Sequence, residues 1–133
     1  QGKLDLDTPV REYLPELELE DATALETITL RHLLTHTSGI LAAVPSVPPE
    51  VLMDSARLSG FIAGLRPESA PGERVNYSII AAHSVLAEVL RAVDEGRRDF
   101  TTMIAQDLFT PLGSARSRLS GGGLLQGARI VCA

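Results

Sequence analysis

The sequence predicts a mostly helical chain, and three observations lead to this prediction. Hydrophobic residues make up 44% of the 133 residues but aromatic residues only 4%, so the core must be built from Leu, Ile, Val and Ala, the usual material of packed helices. Several segments carry apolar residues at helical spacing between Pro, Gly or capping residues. The alternating runs typical of strands are short, and no full sheet can be assigned.

The first predicted helix begins at Thr8-Pro9, because Thr is a good N-cap and Pro fits the first helical position. It ends at Pro15, and the acidic residues 16–21 are typical of an exposed connection. A second short helix is predicted over residues 30–34, with Ser38-Gly39 as its C-terminal stop.

A third helix is predicted to begin at Pro49 and to extend to Leu65, although Gly60 and Gly64 weaken its second half. Irregular loops are predicted on both sides of it, over residues 40–50 and 66–76, because prolines and a Pro-Gly pair interrupt these stretches.

The clearest helical pattern follows Ser78, a good N-cap, and extends for about four turns. One face of this helix is predicted from the apolar spacing of Ile79, Ala82, Leu86, Val89, Leu90 and Val93. Residues 94–98 interrupt the pattern, and Asp99 is predicted to cap a further helix that lasts until Pro111. The Gly-rich residues 114–133 are predicted to be a flexible tail of uncertain structure.

Charge and composition exclude several classes of function. The net charge is -5 and the arginines are scattered among acids, which argues against nucleic-acid binding. No apolar run approaches the roughly 20 residues of a membrane span, so the chain is expected to be soluble, with no compartment indicated. The single Cys132 has no neighbouring His or Cys that would complete a zinc site, and we expect neither a metal nor another cofactor.

Four blocks of sequence stand in order along the chain. They are residues 2–10 (GKLDLDTPV), 28–39 (ITLRHLLTHTSG), 71–78 (PGERVNYS) and 108–113 (LFTPLG). Together they resemble the beta-lactamase-related serine hydrolases, which include class C beta-lactamases, penicillin-binding proteins, esterases and acyltransferases. The resemblance implies that residues 1–133 form a single partial domain. Residues 1–113 would be the helical region of the beta-lactamase/transpeptidase-like α+β fold, with most of the antiparallel sheet absent.

The resemblance also implies a chemistry that needs three residue clusters: S-x-x-K, whose serine is acylated, then Tyr-x-Asn or Ser-x-Asn, and finally K-T-G or a His variant. Lys3 is the only lysine of the chain, which excludes both S-x-x-K and K-T-G from these 133 residues. No histidine is followed two places later by glycine, so the His variant is absent as well.

The second cluster is half present in Tyr77-Ser78-Ile79, directly after the Pro-Gly pair. Tyr77 resembles the proton-relay tyrosine of the family and is the one catalytic candidate. Ile79 stands where relatives carry the Asn that helps to hold the substrate's amide carbonyl, so it is the substrate-binding candidate. An apolar residue there favours ester or acyl-transfer chemistry over beta-lactam hydrolysis.

Two nearby groups of residues have a simpler interpretation. Ser38 and His36 stand close together, but no G-x-S-x-G elbow surrounds the serine, and residues 36–39 are expected to cap the preceding helix. His83 lies beside the predicted apolar face of the helix after Tyr77, and a solitary histidine there is typical of a core or boundary residue.

Two hypotheses about function remain open. The first is a fragment or truncated relative of a serine hydrolase that forms an acyl-enzyme with small-molecule ester, amide or beta-lactam substrates, inactive as the isolated chain. Gln1 and Ala133 are unlike natural termini, which favours it. The second is a non-catalytic binding or assembly protein that reuses the helical region. In both, helical faces that a sheet would cover are expected to be exposed, so that the chain can self-associate.

Overall fold

The computed structural model describes residues 2–17, 19, 21, 23–40, 47–52, 55–95, 97–114, 117–120 and 129–131. Within these ranges the chain is mostly helical, as predicted. The elements, in chain order, are α1 (Val10–Tyr13), α2 (Ala24–Thr27), α3 (Leu30–Leu34), α4 (Pro49–Leu52), α5 (Ser55–Ala63), α6 (Ile79–Val93), α7 (Phe100–Ile104), a π-helical turn (Ala105–Phe109), β1 (Arg118–Ser120) and β2 (Arg129–Val131).

Helix α6 is the longest element, and it packs against α1, α3 and α7. Its buried stripe is formed by Ile80, Ala81, Ala82, Ser84, Val85 and Val89. The predicted face was therefore partly wrong, because Ile79 and Leu90 are exposed. Eleven of the fifteen residues of α6 are apolar and they surround the helix, so spacing alone does not decide which face is buried.

The N-terminal segment is attached to α3 by backbone and ionic contacts. The Arg31 N–H donates to the Leu6 carbonyl at 2.8 Å, and the Val10 N–H donates to the Ile28 carbonyl at 2.8 Å. The Arg31 guanidinium also binds both carboxylate oxygens of Asp7, at 2.7 and 2.8 Å, and these hydrogen bonds lower the pKa of Asp7.

Two expectations about the first helices were wrong in detail. Helix α1 begins at Val10 and not at Pro9, because the Pro9 backbone is extended and pairs with Thr29 in an isolated β-bridge. Pro9 is therefore the N-cap residue, and its side chain has no acceptor that could cap the helix. The acidic stretch is not wholly exposed, since Leu19 is buried and Leu17 packs against the core. Helix α2, which follows it, was not predicted.

Helix α3 ends in a different way from the prediction. It begins at Thr29, whose side chain accepts from the His32 N–H while His32 Nδ1 accepts from the Thr29 N–H. At its C-terminus the Thr37 N–H donates to the His32 carbonyl at 2.8 Å, and the His36 N–H donates to the Leu33 carbonyl at 3.2 Å. This is a Schellman motif whose left-handed residue is His36, with φ of 56°, and not Ser38-Gly39.

The third predicted helix corresponds to α4 and α5, and the residues between them lie outside the described ranges. The loop predicted over residues 66–76 is present as a series of turns without helix or strand. Most of the loop predicted over residues 40–50 also lies outside the described ranges.

The junction between α6 and α7 is fixed by one arginine. The Arg98 guanidinium contacts Asp94 at 2.7 Å and Asp107 at 3.0 Å, and its hydrogen bonds lower the pKa of Asp94. Asp99 caps α7 as predicted, by accepting from the Thr102 N–H at 2.7 Å. The helical stretch then ends in the π-helical turn, where the Thr110 N–H donates to the Ala105 carbonyl at 2.9 Å.

Most of the C-terminal segment predicted to be a flexible tail, including the Gly-rich residues 121–128, lies outside the described ranges, but two short strands within it are described. Strands β1 and β2 pair antiparallel, with Leu119 opposite Ile130. They are the only strands among the described residues, and no helix in these ranges is long and apolar enough to cross a membrane.

We expect Gly39→Ala to destabilise the fold strongly. Gly39 has φ of +78°, and an added Cβ would overlap the Ser69 carbonyl oxygen. The left-handed backbone costs an alanine about 1 kcal/mol, and the overlap adds about 1–3 kcal/mol. The free energy of unfolding, measured by urea denaturation, should fall by about 2–4 kcal/mol.

Gly113→Ala is the matched control, because Gly113 also has a left-handed φ, +66°, but has nothing near its Cβ position. It should lose only the backbone contribution of about 1 kcal/mol. Equal losses in the two variants would contradict a close contact between Gly39 and Ser69.

Candidate active site

The segment that carries Tyr77 begins with a tight turn. The Glu73 N–H donates to the Ala70 carbonyl at 3.1 Å across Pro71 and Gly72, and Gly72 has φ of +83°. Proline followed by a residue with positive φ is the pattern of a type II turn, in which glycine carries no steric penalty. The Glu73 carboxylate also accepts from the Ala70 N–H at 3.2 Å, which closes the turn from the other side.

The loop after α3 holds this segment in place through its backbone. The Gly39 carbonyl accepts from the Glu68 N–H at 2.9 Å, and the Thr37 carbonyl accepts from the Gly72 N–H at 2.8 Å. The backbone of residues 36–39 therefore forms one side of the loop that leads to Tyr77. Gly39 permits the close approach, because a side chain there would overlap Ser69.

Tyr77 itself lies on the surface at the start of α6. Its exposed fraction is 67%, whereas the next residue, Ser78, is fully buried and Ile79 is 43% exposed. Val75 is exposed as well, so exposed and less exposed residues alternate along the segment up to Ile79. The two site residues predicted from the sequence, Tyr77 and Ile79, are therefore both accessible and close together.

His36 contacts the residues on both sides of Tyr77. Its carbonyl accepts from the Asn76 N–H at 2.9 Å, and its Nδ1 accepts from the Ser78 N–H at 3.3 Å. Its ring packs edge-on against the Tyr77 ring, with centroids 4.6 Å apart and planes at 70°. Because a backbone N–H can only donate, Nδ1 must carry a lone pair, and the proton of the neutral ring is on Nε2.

His83 is a third ring in this group. Its centroid lies 5.8 Å from that of His36, and its Nδ1 bonds the Ile79 carbonyl at 2.7 Å. The prediction of a core or boundary position was wrong, since His83 is exposed. The reason is the orientation of α6, whose buried stripe passes through Ala82 and Val85 on either side of it.

The two serines of the region have structural positions. Ser38 is buried, and its Oγ accepts from the Ile40 N–H at 3.3 Å. Ser78 stands at the N-cap position of α6 as predicted, but its side chain makes no capping bond, and its Oγ is buried without a hydrogen-bond partner among the described residues. Neither hydroxyl is placed to attack a substrate from solvent.

The arrangement can therefore hold a phenol at the surface in a fixed position, where it can take up or release a proton. Among the described residues no accessible serine or lysine lies beside that phenol, and no cluster of three His, Cys, Asp or Glu side chains could bind a metal ion. A groove of about 390 Å³ between α2 and residues 66–71 is lined by neither Tyr77 nor Ile79.

His36 is the site residue that sequence reasoning missed. The sequence analysis placed His36 in a structural loop. Its contacts around Tyr77 could not be predicted, because they join residues far apart in the sequence, such as His36 and Ser78, which are 42 positions apart. The only local signal was a helical pattern that ends several residues before the first glycine, because many helices end with a left-handed residue and a residue other than glycine can take that position. Histidine is among the residues that do so more often than average.

Comparison with known proteins gives three informative similarities in addition to a family match. The family model named Beta-lactamase matches residues 1–121. Penicillin-binding protein 4 of Amycolatopsis lactamdurans is 28% identical over 123 residues, which are 87% of this chain and 30% of that protein.

Two solved structures share the fold. A D-stereospecific amidohydrolase from Streptomyces sp. has a TM-score of 0.73 at 27% identity, over 90% of this chain and 38% of that one. A family VIII carboxylesterase has a TM-score of 0.76 at 23% identity, over 90% of this chain and 32% of that one. The present chain thus spans between 30% and 38% of the length of these relatives.

We expect tetranitromethane to nitrate Tyr77 before Tyr13. Tyr77 is largely exposed, while Tyr13 is half-buried and its hydroxyl accepts from the Asp5 N–H at 2.9 Å. Peptide mapping by mass spectrometry over a time course should show a severalfold faster modification of Tyr77. In a Tyr77→Phe variant only the slow reaction should remain, and equal rates for the two tyrosines would contradict the exposed position.

Proposed function

Since the chain belongs to the beta-lactamase family of serine hydrolases, we propose that it is the helical part of an enzyme that transfers the acyl group of a small ester, amide or lactam. The four sequence blocks that resembled this family lie within the matched residues. In the proposed reaction a serine hydroxyl attacks the carbonyl, the acyl group moves to the serine, and the leaving group departs with a proton. Water then releases the acyl group.

The observation that supports this proposal is the geometry at Tyr77. A proton relay must be accessible to the substrate and yet held in one position. Tyr77 meets both conditions, because the residue is 67% exposed while the backbone on each side of it is hydrogen-bonded to His36. We propose that its phenol oxygen takes the proton from the attacking serine and passes it to the leaving group.

We propose further that the chain alone is catalytically inactive. Lys3 is its only lysine, so the serine of an S-x-x-K cluster would precede residue 1. A neutral hydroxyl is a poor nucleophile without a base within hydrogen-bond reach. The described serines near Tyr77, Ser38 and Ser78, are both buried and have no lysine beside them.

Ile79 supports a preference for esters. It is partly exposed at the first residue of α6, two positions after Tyr77, where the family motif has Asn. The Ile side chain cannot donate a hydrogen bond to a substrate carbonyl, and a desolvated polar group without a partner costs about 1–3 kcal/mol. An alkoxide also leaves more readily than an amide nitrogen that has not been protonated, so an ester depends less on this missing contact.

The test is incubation of the chain with a labelled penicillin, a fluorophosphonate and a nitrophenyl ester, followed by intact-mass analysis. We expect no stable mass increase from any of the three, because no activated serine is present. A covalent adduct on any serine of the 133 residues would contradict the proposed inactivity.

The positive control is the gene product read from further upstream of Gln1. We expect an in-frame S-x-x-K about twenty residues before Gln1, the spacing that the family layout implies. The nitrophenyl ester should acylate that longer protein faster than the penicillin does. The Ile79→Asn substitution should bring the two acylation rates closer together. Absence of the cluster from the open reading frame would refute a hydrolase parent.

A second candidate function is a non-catalytic assembly protein, and one observation favours it. Val75, Tyr77 and Ile79 are exposed apolar side chains on one short segment. Such a patch can bind a second copy of the chain by removing apolar surface from water.

Sedimentation velocity at a series of concentrations distinguishes this candidate. Assembly through the patch predicts a concentration-dependent dimer that Val75→Ser weakens. Leu112→Ser is the matched control, since Leu112 is comparably exposed but lies after the π-helical turn. A monomer at every concentration, or equal effects of the two substitutions, would reject self-association through the patch.

A further inference from the structure

We infer that His36 is the positioning residue of Tyr77, and that it acts as a clamp on the backbone at both sides of the tyrosine. Four features define the clamp: the left-handed backbone of His36, its carbonyl oxygen, its Nδ1 atom and its ring. The significance of the clamp for catalysis rests on the proposed role of Tyr77, but its existence can be tested without any activity.

The left-handed conformation makes the clamp geometrically possible. A residue with φ of 56° ends α3 and directs the chain towards the loop that precedes α6. In this conformation both the carbonyl and the imidazole of His36 face the same segment, since they bond Asn76 and Ser78, the two neighbours of Tyr77. Tyr77 cannot rotate its backbone without breaking one of these bonds.

The two bonds differ in their origin, and the difference gives the inference its test. The Asn76 N–H binds a backbone oxygen, which any residue at position 36 would supply. The Ser78 N–H binds the imidazole, which only a side chain with an acceptor can replace. If His36 served only to end α3, a substitution at position 36 would weaken both bonds to the same degree.

The ring adds a constraint on the tyrosine side chain itself. The centroids of His36 and Tyr77 are 4.6 Å apart in an edge-to-face arrangement, which limits the rotation of the phenol. Glycine, the commonest residue at the left-handed end of a helix, would end α3 equally well but would provide neither the ring nor the acceptor.

The experiment compares amide hydrogen exchange at Asn76 and Ser78 in the ¹⁵N-labelled chain and in two variants. His36→Gly keeps the left-handed backbone and removes the side chain. We expect the exchange of Ser78 to accelerate about fivefold or more, the factor for loss of one hydrogen bond, relative to Asn76. His36→Asn tolerates the left-handed conformation and retains an acceptor, so it should restore part of the Ser78 protection.

Two spectroscopic measurements complete the test. The ¹⁵N shifts of the His36 ring in the neutral protein should show Nδ1 without a proton and Nε2 with one. In a Tyr13→Phe background Tyr77 is the only tyrosine, and its near-ultraviolet circular dichroism should weaken in both His36 variants. His83→Gln is the control and should change neither measurement, because His83 lies beside His36 but bonds the Ile79 carbonyl instead of an amide that flanks Tyr77.

The outcomes that overturn the clamp are distinct from a failure of the proposed function. A proton on His36 Nδ1 in the unmodified chain would exclude the hydrogen bond from the Ser78 N–H. This measurement does not depend on the folding of any variant. If amide exchange accelerates equally at Asn76 and Ser78 in His36→Gly, or at neither, His36 serves only to end α3 and the clamp is rejected. None of these results depends on whether the chain or a longer protein is acylated.

Discussion

At His36 the chain leaves α3 through a left-handed residue, and the candidate site depends on this one backbone conformation. The same residue ends a helix, accepts from the amides that flank Tyr77 and packs its ring against the phenol. Gly39 then allows the neighbouring loop to lie against the Ser69 backbone. The surface position of Tyr77 follows from these contacts of residues 36–39, while α6 supplies the buried stripe on which the segment rests.

Much of the fold could be predicted because its signals are local. Pro49 marks the start of α4, Asp99 caps α7, and apolar spacing identifies α6. The parts that failed depend on contacts distant in sequence. The face of α6 is decided by α1 and α3, and the start of α1 by the isolated β-bridge between Pro9 and Thr29. No window of a single helix contains that information.

The candidate site shows the same division. Tyr77 and Ile79 could be named from a short motif, because the order of residues within the motif carries the resemblance. Their exposure, the enclosure of Ser78 and the contacts of His36 could not, since they depend on a pairing across 42 residues. The exposed position of His83 could not be predicted either, because eleven of the fifteen residues of α6 are apolar and more than one face of the helix could be buried.

The contacts that hold the loop before Tyr77 have an evolutionary consequence. The hydrogen bonds to the carbonyls of His36, Thr37 and Gly39 all come from backbone N–H groups, so they do not depend on the side chains of the residues that donate them. Residues 66–76 can therefore change in sequence while the path of the chain stays the same, provided that a turn with a glycine like Gly72 remains. The sequence of this loop can then vary while the Tyr77 phenol keeps its place.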